Sequence, residues 1–338
     1  MIFYMNSNKM FFIFILIFST MISISANSWF GCWIGLEINL LSFIPLISKS
    51  NNLMASEASL KYFLTQSIAS INFIFYIILM KMITLKNFEI NNMSSLMINS
   101  SMLMKMGAAP FHFWFPNIVE GLSWFNNFIL MTWQKITPMI LLSYYFNKNL
   151  LIFSIILNII IGAIGGLNQS SLRKIMAYSS INNLGWMISS IMISENLWMF
   201  YLIMYSFLIS IMCFFFYLMN LYFINQLFIV NMNPMIKINM LINFLSLGGL
   251  PPFMGFFPKW IIINFLLINY YYLLTFIFIM MSLIVLFFYI RIIYSSFMMN
   301  YLKMKWLKIN IKNKLFLMMN FFSMISMLGI ILSTMFFL

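Results

Sequence analysis

Gly107-Ala108-Ala109-Pro110-Phe111-His112-Phe113-Trp114-Phe115-Pro116 interrupts one long apolar stretch, and Gly249-Leu250-Pro251-Pro252-Phe253-Met254-Gly255-Phe256-Phe257-Pro258 interrupts another. Both read G-x-x-P-F-x-x-x-F-P. Lys105 stands just before the first, and Lys259 directly follows the second. Phenylalanine matches carry little weight in a chain with 40 Phe. Proline matches carry more, because of 8 Pro in all, Pro110, Pro116, Pro251, Pro252 and Pro258 fall in these two segments. Two Gly/Pro-interrupted apolar helices at corresponding places in two halves point to a transporter built from repeats, with its ion path at the breaks.

Composition sets the class. The chain has 338 residues, 64% of them hydrophobic and 7% charged, with a mean hydropathy of +1.00. That is far beyond a soluble domain of this length and implies a polytopic membrane protein. Spans of about 20 apolar residues recur along it, each long enough to cross a bilayer as a helix. The alternation of a transmembrane barrel is missing. Met1 to Lys9 runs straight into an apolar segment, so no cleaved presequence is expected.

The same inventory excludes much chemistry. Cys32 and Cys213 are the only cysteines and His112 the only histidine, too few for an iron–sulfur cluster or a bis-histidine haem. No phosphate-binding glycine loop is present. This chain is therefore expected to bind no cofactor or metal, and any redox chemistry it serves belongs to another subunit. With 18 Lys+Arg against 5 acidic residues the net charge is +13. The basic residues are scattered singly through lipid-length spans, so anionic lipids and acidic partners suit them and nucleic acid does not.

The apolar pattern predicts about eleven helices, near 8–26, 28–48, 57–80, 94–117, 122–146, 149–167, 171–193, 196–223, 237–264, 269–297 and 315–337. The fourth and ninth carry the breaks. Five helices (8–146) then precede a second five (149–297), with one extra (315–337). A repeat of odd helix number places its copies in opposite orientation, the plan of an inverted-repeat transporter in one transmembrane domain. Lys9, Lys49, Arg173, Lys174, Lys237 and the run Lys303 to Lys314 fall on the side of the N-terminus, against Lys81, Lys86 and Lys148 opposite. By the positive-inside rule the N-terminus faces the compartment of synthesis and the C-terminus the other side.

Ionisable groups within apolar spans mark function, since each costs roughly 2.5–3.5 kcal/mol at a helix centre. Glu37 lies mid-helix with Asn39 and Ser42 nearby, and would protonate unless a cation stands close. It is either a neutral structural acid or the partner of a lysine on a neighbouring helix. Lys135 lies near Pro138, and Lys259 follows Pro258. Their alternative is to snorkel to the interface, most plausibly for Lys259. His112 is either a hydrogen-bonded structural histidine or a proton relay. Lys61, four residues after Glu57, reads as a local ion pair.

These residues sit in segments that resemble a known family. Asn27 to Pro45, Glu57 to Gln66, Gly107 to Pro116, Trp133-Gln134-Lys135, Gly165 to Gln169, Gly248 to Pro252 and Pro258-Lys259-Trp260 are similar, in order, to the chain 2 family of NADH:ubiquinone oxidoreductase. These are mitochondrially encoded, antiporter-like subunits of respiratory complex I. The resemblance implies an all-α inner-membrane subunit, its N-terminus in the matrix, with neighbouring antiporter-like subunits and lipids such as cardiolipin as partners. It implies proton translocation driven by NADH oxidation and ubiquinone reduction elsewhere, where FMN and iron–sulfur clusters reside. Glu37 and Lys105 correspond to the paired glutamate and lysine, Lys135 to the central relay, and Lys259 to the lysine of the second broken helix. One departure stands out: Asn183 occupies a position where the family usually has histidine, and an amide carries no proton at neutral pH. A free-standing cation/proton antiporter of the same fold is the competing expectation. It is disfavoured because Glu37 is the only well-placed carboxylate for a cation site. A passive scaffold is disfavoured by the cost of four intramembrane charges.

Overall fold

A computed structural model describes residues 7–49, 52–85, 91–229, 234–298, 313–327 and 329. The described chain is all helical, α1 to α15, apart from an isolated bridge between Ser171 and Phe223. It divides into two compact units, Met1–Ser154 and Ile155–Leu338. The first contains α1 (Ser7–Ser25), α2 (Trp29–Ile47), α3 (Leu53–Leu85), α4 (Asn91–Met106), α5 (Trp114–Gly121), α6 (Trp124–Met131) and α7 (Trp133–Tyr144). The division falls within α8 (Lys148–Gly166). The second holds α9 (Leu172–Ile193), α10 (Glu195–Met219), α11 (Ile224–Ile229), α12 (Pro234–Gly248), α13 (Phe256–Ile268), α14 (Tyr272–Met298) and α15 (Asn313–Met327).

Six described helices, α1, α2, α3, α8, α10 and α14, are each long and apolar enough to cross a membrane. Their ends follow ordinary capping rules. Ser28 accepts from the Gly31 amide at 3.2 Å to start α2, and Ser194 accepts from Leu197 at 3.3 Å to start α10. Helix α10 stops at Asn220, which takes the left-handed conformation of a C-cap.

The two helices expected to carry breaks, near 94–117 and 237–264, are each two helices with an irregular stretch between, at 107–113 and 249–255. Gly107 (φ 69°) and Gly249 (φ 81°) turn the chain at the start of each break, a conformation that costs an L-residue roughly 1–2 kcal/mol. The prolines that follow remove helical amide donors. A third discontinuity, at Thr132, splits the expected helix 122–146 into α6 and α7. Lys237, read from sequence as a loop lysine, lies instead in the first turn of α12 and is buried. The basic run at Lys303, Lys305, Lys308 and Lys312 lies outside the described residues, as does Lys86.

In the first unit α2 packs on α1 and α3, and α3 on α4 and α5. In the second, α12 packs on α10, α14 and α15, and α13 packs on α9, α10 and α14. Both breaks are thus enclosed by helices of their own unit, as polar backbone at membrane depth requires.

Candidate functional site

Lys105 occupies the last turn of α4 and is 6% exposed. The Gln66 amide, from α3, donates to its carbonyl oxygen at 3.0 Å, and the Trp114 indole donates to the Met104 carbonyl at 3.1 Å. These two bonds tie α3 and the start of α5 to the last turn of α4. The side chain lines a small cavity of about 10 Å³, about what one water needs, with Asn39, Tyr62, Gln66, Gln134 and Thr137 among its walls. The Gln134 amide donates to Asn39 at 2.9 Å, tying α7 to α2. Polar groups therefore surround a lysine at the end of a broken helix.

Glu37 is half-buried on α2, and its Oε2 is buried without a hydrogen-bond partner. Its charge acts on Lys105 electrostatically. The ion pair expected between them is not closed in this structure, whereas the local Glu57–Lys61 pair is, at 2.5 Å on an exposed face. Helix spacing alone places Glu57 beside Lys61. Contact between Glu37 and Lys105 depends on the rotation of two separate helices and on the rotamers of two long side chains.

Lys135 is 1% exposed, inside α7, with its ammonium 5.5 Å from the centroid of the Phe115 ring. It does not snorkel outward. Because Phe115 begins the α5 side of the first break, Lys135 and the break share one packed region. His112 is buried within the break, its Nδ1 3.3 Å from the Pro110 carbonyl and its ring against Phe113. That contact fits the structural role as well as the relay.

The second unit holds its lysine differently. Lys259, in the first turn of α13, is 7% exposed and reaches back across the break. Its ammonium donates to the carbonyls of Leu247 at 3.2 Å and Gly248 at 3.0 Å, the last residues of α12. A cation at a helix C-terminus is favoured by the helix dipole. An ammonium has three donors and a neutral amine two. Both carbonyls therefore keep a donor whether or not the lysine is protonated, and only the third position changes. The Trp186 ring lies 5.7 Å from the ammonium. A small cavity of about 20 Å³, room for about one water, adjoins it, lined by Asn183, Tyr201, Tyr205, Pro258 and Lys259 among others.

Asn183 thus stands at the second lysine cavity, where it accepts a hydrogen bond from the Tyr201 hydroxyl at 2.9 Å. Nothing in the spacing of residues 183 and 201 announces this contact. A second polar feature also escaped the sequence. Asn239 and Asn243, one turn apart on α12, meet Asn320, Ser323 and Ser326 on α15. Ser323 donates to Asn239 at 3.0 Å, Ser326 donates to Asn243 at 3.1 Å, and Asn239 pairs with Asn320. The Met254 amide, inside the second break, donates to the Ser326 carbonyl at 3.0 Å. Helix α15 therefore straps both α12 and the break.

Comparison with known proteins agrees with this plan. The family described as NADH:quinone oxidoreductase/Mrp antiporter, TM, matches residues 26–285. A chain of respiratory complex I from Thermus thermophilus superposes with a TM-score of 0.85 at 18% identity, covering 97% of this chain and 79% of that one. Fold and buried lysines together define an antiporter-like, multi-pass membrane protein. NADH-ubiquinone oxidoreductase chain 2 of Anopheles gambiae is 50% identical over 97% of both chains, and that of Aedes aegypti 52% identical over 98% of both. The chain belongs to the NADH-ubiquinone oxidoreductase chain 2 family.

Proposed function

We propose that this chain provides a proton-translocation pathway across the mitochondrial inner membrane as a core membrane subunit of respiratory complex I. Electrons pass from NADH to ubiquinone in other subunits, and the protein itself does no redox chemistry. One observation carries the reading: each unit has a nearly buried lysine lining a small cavity, with polar side chains in its wall, at the break of a helix. An isolated buried charge is costly, and a lysine beside hydrated, irregular backbone is a group able to gain and lose a proton.

In this reading Glu37 tunes Lys105 through their charges, Lys135 is the central relay, and Lys259 is the terminal lysine. His112 is a further relay candidate. Buried polar atoms of Asn99, Asn127, Thr137 and Glu37 have no partner within the protein. Interiors satisfy such groups with water, which also conducts protons. A row of lysines joined by water passes a proton because charge arriving on one disfavours charge on the next where water is scarce.

The reading includes about eleven membrane crossings and an inverted repeat, 8–146 and 149–297, with an extra helix at 315–337. One Gly/Pro-broken helix in each compact unit, α4 with α5 and α12 with α13, supports it. The positive-inside bias supports a matrix N-terminus and an intermembrane-space C-terminus. Neighbouring antiporter-like subunits and anionic lipids such as cardiolipin are the partners that an apolar surface with scattered lysines suits. Extraction of the native membrane in mild detergent tests the assignment. Co-migration of the chain with a large NADH-oxidising assembly is expected. Migration alone would favour a free-standing antiporter.

A further inference from the structure

We infer that Tyr201, acting through Asn183, positions the water that takes the proton from Lys259. The inference rests on the proposed proton pathway and goes beyond it by assigning a polarity to the second cavity. Tyr201 and Asn183 are both buried, both line the cavity that Lys259 lines, and are joined by a 2.9 Å hydrogen bond.

The direction of that bond decides the rest. Tyr201 donates, so the Asn183 carbonyl oxygen is occupied and the amide cannot flip without losing it. The two N–H donors of Asn183 are thereby held away from Tyr201, and the tyrosine oxygen keeps its lone pairs. Lys259 has two donors committed to Leu247 and Gly248, which leaves its third for the cavity. The cavity wall therefore carries donors at Lys259 and Asn183 and an acceptor at Tyr201. A water there accepts from Lys259 and donates to the tyrosine oxygen, whose lone pairs the bond to Asn183 holds toward it.

Neither side chain carries the charge. A phenol stays protonated at neutral pH, and an amide does not titrate. In the transfer one N–H bond of the Lys259 ammonium breaks and the proton joins the water. That water releases its other proton, the one not bonded to Tyr201, to a further water of the proposed pathway, so neither Tyr201 nor Asn183 takes the charge. Lys259 is left a neutral amine still donating to both carbonyls, with its lone pair toward the cavity for the next proton. Tyr201 and Asn183 are positioning residues, doing through an oriented water what a titrating side chain would do directly.

The test uses the assembled complex in sealed vesicles, with proton pumping measured per NADH oxidised. Tyr201→Phe removes only the hydroxyl, and pumping is expected to fall about tenfold, the effect of losing one oriented hydrogen bond. Adding Asn183→His to Tyr201→Phe should restore most of it, because an imidazole carries the proton itself and needs no tyrosine to orient it. A merely structural tyrosine would not be rescued this way. Wild-type pumping in Tyr201→Phe overturns the inference, as does an assembled double variant no better than the single one. Where Tyr201→Phe does not assemble, Asn183→Leu takes its place with the same expected loss. Failure of both to assemble would assign the pair to folding and overturn the inference. Lys259→Met measured alongside separates the two levels. Normal pumping there removes the proton pathway itself, whereas loss there with normal Tyr201→Phe removes only the role of Tyr201.

Discussion

The first break sets its lysine in a cavity lined by amides, with a carboxylate acting across a gap, and the second holds its lysine with backbone carbonyls. Lys105 precedes its break and faces Asn39, Gln66, Gln134 and Thr137, with Glu37 acting across a gap. Lys259 follows its break and donates back to Leu247 and Gly248, beside Asn183 and two tyrosines. The motif is shared, yet the chemistry around the ammonium is not. In the proposed pathway the Glu37 carboxylate would regulate the first through its charge. Fixed dipoles that serve both protonation states hold the second, which suits a terminal group releasing protons repeatedly.

The backbones differ as well, and substitution at two glycines gives the largest expected effect. A side chain at Gly255 would overlap the Ser246 carbonyl, which cannot move without breaking α12. Gly255→Ala should cost about 3 kcal/mol or more and deplete the assembled complex on a native gel. Gly107→Ala meets the softer Phe115 ring at about 3.0 Å and adds the strain of its φ of 69°, a cost of about 1–3 kcal/mol. Equal assembly defects would show that the breaks are not built to different tolerances.

Lys135 lies in neither cavity wall but packs over Phe115, so it is the group through which the first break is expected to pass its proton on. Lys135→Met keeps the apolar stem and should leave assembly intact while lowering pumping more than tenfold. Lys135→Arg should not restore it, because arginine does not release its proton. Proton pumping by a fully assembled Lys135→Met enzyme would remove Lys135 from the path. A smaller loss, several-fold, is expected for Glu37→Gln, since the carboxylate modulates Lys105 and does not close a contact with it. Unchanged pumping in assembled Glu37→Gln would make the two breaks equivalent and erase the regulatory difference drawn above.

The smallest expected effect concerns the strap on the second break. Ser326→Ala leaves the Asn243 carbonyl oxygen without its donor, a loss of about 1–2 kcal/mol. Hydrogen exchange at the Met254 amide should quicken in this variant, while amides of the first break stay as protected as before. Uniform protection would show that α15 does not govern the break.

How far these features could be read in advance depended on rarity. Proline is scarce in this chain, so Pro110 and Pro252 announced both breaks. Ionisable residues are scarcer still within apolar spans, so Glu37, Lys105, Lys135 and Lys259 stood out, and the structure buries all three lysines. Asparagine and serine are abundant, and the ladder from Asn239 to Ser326 gave no such signal, because its members pair only once α12 and α15 are packed. Tyr201 was hidden among 16 tyrosines for the same reason. The interruption at Thr132 precedes Pro138 by more than a turn, and local composition does not mark it. The Glu37–Lys105 contact was anticipated too tightly, since sequence gives the charges but not the helix rotation that sets their separation.

Proton release per NADH oxidised, measured in sealed vesicles for Lys105→Met and Lys259→Met complexes of confirmed assembly, tests the central claim most directly. If both breaks carry protons, each variant should lose coupled pumping while keeping its place in the complex, and neither loss should be restored by arginine. Wild-type pumping from either assembled variant would contradict the claim that a lysine at each helix break carries the proton.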